Sequence, residues 1–213
     1  MSNTKIKICG ISDAAALDAA IDAGADYAGL VFFPPSPRHV GSDEAARLAQ
    51  RSGPRIDRVG LFVDADDTLI GDAVAAGELD ALQLHGSETP ERAANLRARF
   101  GLPVWKAIAV SSAGDVERAQ HYAGAADLIL FDAKTPKGTL PGGMGLSFDW
   151  SLLGLYRGSL PWGLAGGIAP GNVAHAIART GAPLVDVSSG VESAPGVKDP
   201  DRIRAFVAAA RKG

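Results

Sequence analysis

Residues 5–33 run Lys5-Ile6-Lys7-Ile8-Cys9, then Gly10-Ile11-Ser12, then the alanine-rich stretch Asp13–Ala23 (DAAALDAAIDA), then Gly24-Ala25-Asp26, and finally Tyr27-Ala28-Gly29-Leu30-Val31-Phe32-Phe33. The first piece alternates, so Lys5, Lys7 and Cys9 share one face of a strand while Ile6 and Ile8 share the other. The alanine-rich piece carries apolar residues at helical spacing, and the last piece is apolar and β-rich again. Strand, helix and strand in so short a span form a βαβ unit. Its two strands run parallel, because the chain crosses between them through the helix.

The same alternation continues to the end of the chain. Apolar, β-rich runs recur at Arg58–Val63, Asp80–His85, Val104–Val110, Asp127–Asp132, Pro161–Ala165 and Leu184–Ser188, which with the first two makes eight. Amphipathic stretches such as Asp43–Arg51, Pro90–Phe100 and Asp199–Arg211 lie between them. Four helical stretches end in a glycine just before the next strand, at Gly24, Gly77, Gly124 and Gly181, as a left-handed C-cap requires. Eight units in 213 residues leave about 27 residues each, little beyond strand, helix and two turns. The expected fold is therefore a closed (β/α)₈ barrel of eight parallel strands, forming one domain over residues 1–213. A doubly wound sheet is the alternative, and its dinucleotide version shows Gly-x-Gly-x-x-Gly after the first strand. Ile8-Cys9-Gly10-Ile11-Ser12 supplies one glycine only. The Gly/Pro/Thr-rich segment Lys134–Ser147 is read as a long loop after strand six rather than a linker between half-domains.

Composition narrows the function classes. Hydrophobic residues make up 46% and charged residues 21%, which fits an ordinary globular protein. Twenty-one Lys+Arg against 24 Asp+Glu give a net charge of −3, without a basic footprint for nucleic acid. No uninterrupted apolar stretch has the length of a spanning helix. The single cysteine, Cys9, excludes an internal disulfide, and residues 1–10 lack the apolar core of a signal peptide, so a cytoplasmic protein is expected.

In a barrel of this kind the active site lies at the C-terminal ends of the strands. Cys9 ends strand one, facing inward beside Lys7, a setting expected to lower its thiol pKa and supply a thiolate base. Asp186, on strand eight, is the candidate partner for Lys7, since a buried ammonium needs a carboxylate. Asp132 ends strand six on the face of Leu128 and Leu130, where partial desolvation helps a carboxyl hold a proton. A base and an acid at one barrel mouth suit proton transfer. Gly166-Gly167 after strand seven and Ser188-Ser189-Gly190 after strand eight suit an anion such as phosphate, with a short helix beginning near Ser189. The proline-stiffened loop Phe33–His39 presents Arg38, whose planar fork suits a carboxylate. His85 closes Gln83-Leu84-His85-Gly86 at the end of strand four. It is equally readable as a pocket residue or as a structural hydrogen-bonding group. His39, His85, His121 and His175 form no HxH or HExxH pair and no local Cys/His cluster, so no metal ligand set is read.

Taken together these segments resemble the phosphoribosylanthranilate isomerases of tryptophan biosynthesis. The matching pieces are Lys7–Ile11, Gly29–Phe33 through Ser36-Pro37-Arg38, Gln83–Gly86, Leu130–Asp132, Phe148–Trp150, Leu164–Gly167 and Val185–Glu192. They run from residue 5 to about 207, and their order and spacing carry the resemblance more than any one piece. The departures lie in residues 142–147 and the loop before them. The resemblance implies an Amadori rearrangement of N-(5′-phosphoribosyl)anthranilate to 1-(2-carboxyphenylamino)-1-deoxyribulose 5-phosphate, by general acid/base catalysis without metal or organic cofactor. It maps the family's base onto Cys9 and its acid onto Asp132. The partner expected is a small sugar phosphate, with no nucleic acid or membrane, and the protein is expected as a monomer or weak homodimer. Indole-3-glycerol phosphate synthase also binds a sugar phosphate but uses catalytic lysines and glutamates, and sugar-isomerising relatives in histidine biosynthesis carry an aspartate where this chain has Cys9. A non-catalytic phosphate-binding protein has no need of an inward thiol opposite an aspartate.

Overall fold

Eight parallel strands close on themselves in sequence order: β1 (Lys5–Cys9), β2 (Tyr27–Val31), β3 (Asp57–Phe62), β4 (Ala81–Leu84), β5 (Val104–Val110), β6 (Leu128–Ala133), β7 (Trp162–Leu164) and β8 (Leu184–Val187). β1 pairs with β8, in register Lys7 to Asp186, which completes the ring. The computed structural model describes residues 4–135 and 145–213. The central part of the loop read over Lys134–Ser147, with Gly142, Gly143 and Met144 among its departures from the family pattern, lies outside the described residues.

Among the described residues, the α-helices are α1 (Ala14–Ala23), α2 (Ser42–Ser52), α3 (Asp67–Gly77), α4 (Pro90–Phe100), α5 (Ala113–Glu117), α6 (Val173–Thr180) and α7 (Pro200–Ala210). Between β6 and β7 a 3₁₀ turn, Trp150–Leu155, stands where an α-helix closes the other units. After β8 the chain forms a 3₁₀ turn, Ser189–Val191, and a small hairpin of β9 (Glu192–Ala194) and β10 (Val197–Lys198) before α7. The expected glycine caps hold for α1 and α6, where Gly24 and Gly181 adopt left-handed φ of 81° and 66°. At α3 that place falls to Glu78, one residue beyond Gly77. Gly124 has a positive φ but follows a 3₁₀ turn rather than an α-helix.

Alternation along the strands divides the interior into two layers, as the 2.0-residue strand period demands. Ile6, Ile8, Leu82, Leu84, Val104, Ile108 and Ile129 point outward into a core shared with Leu17, Leu48, Ile70, Leu96 and Phe206 of the helices. Val59, Trp105, Ala107, Leu130 and Leu184 fill the barrel interior. Cys9 sits with Val31 and Leu61 in a separate cluster at the mouth. The inward face of β1 is thus the one the alternation assigned to Lys7 and Cys9.

Candidate active site

β1 brings two polar groups into the barrel. Lys7 is fully buried, and its Nζ lies 3.1 and 3.2 Å from the two carboxylate oxygens of Asp186. Across the strand pair, Cys9 is in register with Gly29. A Cβ at residue 29 would lie 3.0 Å from Lys7 Nζ and 3.1 Å from Cys9 Sγ, so the glycine makes room for both. Burial by itself would lower the Lys7 pKa, but the Asp186 carboxylate and the Cys9 sulfur outweigh it and hold the ammonium above its ordinary value. The thiol corrects the sequence expectation. Burial pushes Cys9 up, and Lys7 pulls against this without overcoming it, since Asp186 repels the thiolate in its turn.

β6 presents Asp132, whose Oδ1 accepts the N–H of Ala133 at 2.7 Å. Its other oxygen, Oδ2, lies 3.2 Å from His85 Nε2. The Nδ1 of the same ring faces the Gln83 amide nitrogen at 3.1 Å. An amide nitrogen only donates, so Nδ1 accepts from Gln83 and the ring N–H at Nε2 points at the carboxylate. Both readings of His85 from sequence therefore meet in one residue: it lines the pocket and it makes a structural hydrogen bond. Gln83 was not singled out in the sequence. Its place two residues before His85 on an alternating strand is the signal that puts both side chains on one face.

The turns after β7 and β8 come together. Gly166 and Gly167 have φ of 79° and 68°, and side chains there would sit 2.7 Å from Asp132 Oδ1 and 2.6 Å from Ser147 Cβ respectively. Asn172 braces this turn, donating to Gly167 O at 2.9 Å and accepting from Ala169 N at 2.7 Å. The helix expected from Ser189 is the single 3₁₀ turn Ser189–Val191. Beneath it, Lys198 Nζ donates to the backbone oxygen and hydroxyl of Ser188 at 3.1 and 3.2 Å and to Glu192 Oε1 at 2.6 Å. Arg38 is not a solvated surface residue. Its Nε and Nη2 donate to the two oxygens of Glu192 at 2.7 and 2.8 Å, so the fork already grips a carboxylate of the chain itself. Neither this pairing nor Lys198 was legible in the sequence, because the partners are brought together by the β9–β10 hairpin.

Cys9, Arg38, His85, Asp132, Gly166, Gly167, Asp186, Ser188, Ser189 and Gly190 all line one cleft at the C-terminal ends of the strands. Val31, Phe33 and Leu61 give it an apolar flank beside Cys9. Among the described residues no three His, Cys, Asp or Glu side chains gather as a metal-ligand group. Among the same residues no helix is long and apolar enough to cross a membrane.

Residues 6–209 match the family model described as N-(5′-phosphoribosyl)anthranilate (PRA) isomerase. A relative from Paramagnetospirillum magneticum, named N-(5′-phosphoribosyl)anthranilate isomerase, is 56% identical over 210 residues, covering 98% of each chain. The crystal structure of phosphoribosyl anthranilate isomerase from Thermotoga maritima superposes with a TM-score of 0.85 at 38% identity, again over 98% of both chains. A further solved isomerase, in complex with reduced 1-(o-carboxyphenylamino)-1-deoxyribulose 5-phosphate, gives a TM-score of 0.83 at 36% identity over 98% of both chains.

Proposed function

The chain belongs to the N-(5′-phosphoribosyl)anthranilate isomerase family, and from that premise we propose that Cys9 is the base and Asp132 the acid of its Amadori rearrangement. The observation that carries this reading is their meeting in one cleft at the ends of β1 and β6, with Asp186 and His85 beside them. Asp132 gives a proton to the furanose ring oxygen as the bond from C1′ to that oxygen breaks, leaving an iminium at C1′. The Cys9 thiolate takes the proton from C2′, and the resulting enolamine is protonated at C1′ to give the ketone. Two protons leave the substrate, from C2′ and from the 2′-hydroxyl as the enol becomes the ketone, and two arrive, at the ring oxygen and at C1′. Asp132 and Cys9 thus regain their starting states and the reaction is a pure isomerisation.

The rest of the cleft suits the two ends of this substrate. The apolar flank of Val31, Phe33 and Leu61 suits the anthranilate ring, and Arg38 in the adjoining loop suits its carboxylate, in competition with Glu192. Asp186 keeps Lys7 charged beside the thiol. Gly166, Gly167, Ser188, Ser189 and Gly190 suit the 5′-phosphate, through backbone N–H groups at the ends of β7 and β8. We read residues 1–213 as one catalytic domain acting as a monomer or weak homodimer in the cytoplasm. The single cysteine and the small anionic substrate support that placement.

Turnover of freshly made phosphoribosylanthranilate, followed by the loss of its fluorescence, tests the activity directly. Absence of turnover by folded protein would sink the reading. The phosphate assignment has a separate test in Gly190→Val, which should raise KM severalfold with a smaller change in kcat, because the phosphate handle binds in ground and transition states alike. An unchanged KM would move the phosphate elsewhere.

A further inference from the structure

Lys106 interrupts the pattern of its strand. On β5, Trp105 and Ala107 fill the barrel interior, while Val104, Ile108 and Val110 pack outward against the helices. Lys106 belongs to the outward series, where its neighbours are apolar, and it is only 2% exposed. An apolar residue of similar volume at such a place is often as stabilising as a buried ion pair or more so. The charge therefore calls for a role that an apolar side chain lacks.

An ammonium has three protons to give, and Lys106 gives them to the Leu84 carbonyl at 3.2 Å, the Gly86 carbonyl at 2.8 Å and Glu88 Oε2 at 3.0 Å. Leu84 and Gly86 are the two residues that flank His85. The buried Glu88 carboxylate grips the same turn from its other side, accepting the Gly86 N–H at 2.9 Å and, through Oε1, the Asp64 N–H at 2.9 Å. Tyr122 secures Glu88 in turn, donating its hydroxyl proton to the Glu88 carbonyl at 2.7 Å. His85 projects from this clamped turn into the cleft, where its Nε2 meets Asp132.

We propose that the buried Lys106–Glu88 pair is a positioning pair for the isomerisation: it locks the backbone on both sides of His85 so that the imidazole holds Asp132 in its proton-donating orientation. The pair touches no reacting atom. It acts through His85, and the inference rests on Asp132 being the acid.

Three variants separate positioning from simple stapling of the fold. Lys106→Met leaves Glu88 buried without a cation and lowers the Tm. The double variant Lys106→Met/Glu88→Met replaces both members by apolar groups and should recover most of that Tm. Both should show kcat lowered roughly 10–100-fold, the scale of a catalytic group displaced by about an ångström, with KM little changed. In a His85→Ala background, Lys106→Met should lower kcat no further, because the group it positions is gone. Recovery of wild-type kcat together with Tm in the double variant overturns the proposal, as does full multiplication of the Lys106→Met effect on His85→Ala. If Lys106→Met does not fold, the double variant and its combination with His85→Ala carry the same test. Asp132→Asn, assayed beside them, tells the two ideas apart. An inactive Asp132→Asn with a normal double variant defeats the clamp alone, whereas an active Asp132→Asn defeats the acid assignment and the clamp with it.

Discussion

The two ends of the barrel use the same side chains for opposite purposes. At the foot, where the strands begin, Asp26, Asp80 and Asp127 each accept a backbone N–H at the start of a neighbouring strand: Ile6 at 2.9 Å, Arg58 at 2.7 Å and Val104 at 2.8 Å. Each also meets cations, Asp26 being paired with Lys5 at 2.7 Å and Arg211 at 3.0 Å. Burial would raise the Asp26 pKa, but Lys5 and the Ile6 N–H outweigh it and hold the carboxyl below its ordinary value. At the mouth, Cys9 is pushed the other way, because burial, with the Asp186 carboxylate beside it, outweighs the ammonium groups of Lys7 and Lys198. An acid whose charge is fully engaged by strand starts and surface cations ties the chain together. An acid that is dry and turned toward a cleft is available for proton transfer.

The sharpest way to break this contrast is at the proposed base and acid. Cys9→Ser and Asp132→Asn should each lower kcat by about 10²–10⁴-fold while leaving the denaturation midpoint near that of the parent. The raised thiol fixes the sign of the pH dependence: the thiolate forms only as pH rises, so the acidic limb of kcat/KM should lie above the ordinary thiol value of about 8.5 and vanish in Cys9→Ser. Near-normal kcat in either folded variant would remove that residue from the mechanism.

Lys7 is buried in the barrel beneath Cys9 yet should behave as foot residues do. Lys7→Met leaves Asp186 buried without its cation, and urea denaturation should record a loss of roughly 3–5 kcal/mol. An unmoved midpoint would mean that the pair contributes nothing net. Arg38→Lys keeps the charge but loses the planar fork that holds Glu192, so kcat/KM should fall by about tenfold, the worth of one charge-assisted hydrogen bond. Normal steady-state kinetics would leave Arg38 a brace for the hairpin only.

The smallest expected effect is at the foot. Asp26→Asn should cost about 1–2 kcal/mol at pH 7 with kcat unchanged. Because the folded-state pKa of Asp26 is depressed, its contribution is present above the unfolded value of about 3.9 and lost as pH falls through the folded value. The stability difference between Asp26→Asn and the parent should therefore shrink in acid. A difference that persists there would show that shape, rather than charge, is what residue 26 supplies.

The alternation of Lys5 to Cys9 was enough to place Ile6 and Ile8 against the helices and Lys7 and Cys9 inside, because strand periodicity is a property of consecutive residues. The recurrence of that unit gave the closed barrel, and the strand ends then named the residues that line its mouth. Where units lost their helical period the sequence was less legible, as with the 3₁₀ turn Trp150–Leu155 between β6 and β7.

Lys7 and Asp186 apart, which the strand ends already matched, pairings between distant parts of the chain were decided by the tertiary structure. Arg38 finds Glu192 and Lys106 finds Glu88 only after the barrel has closed and the loops have been laid over it. The direction of the Cys9 shift belongs to the same class. Lys7 two residues away argued for a lowered thiol, but the balance sums burial, Lys7, Asp186 and Lys198, of which only Lys7 is local in sequence. Periodicity is written residue by residue along the chain, whereas desolvation and charge pairing depend on every group within a few ångströms, and only the folded chain determines which groups those are.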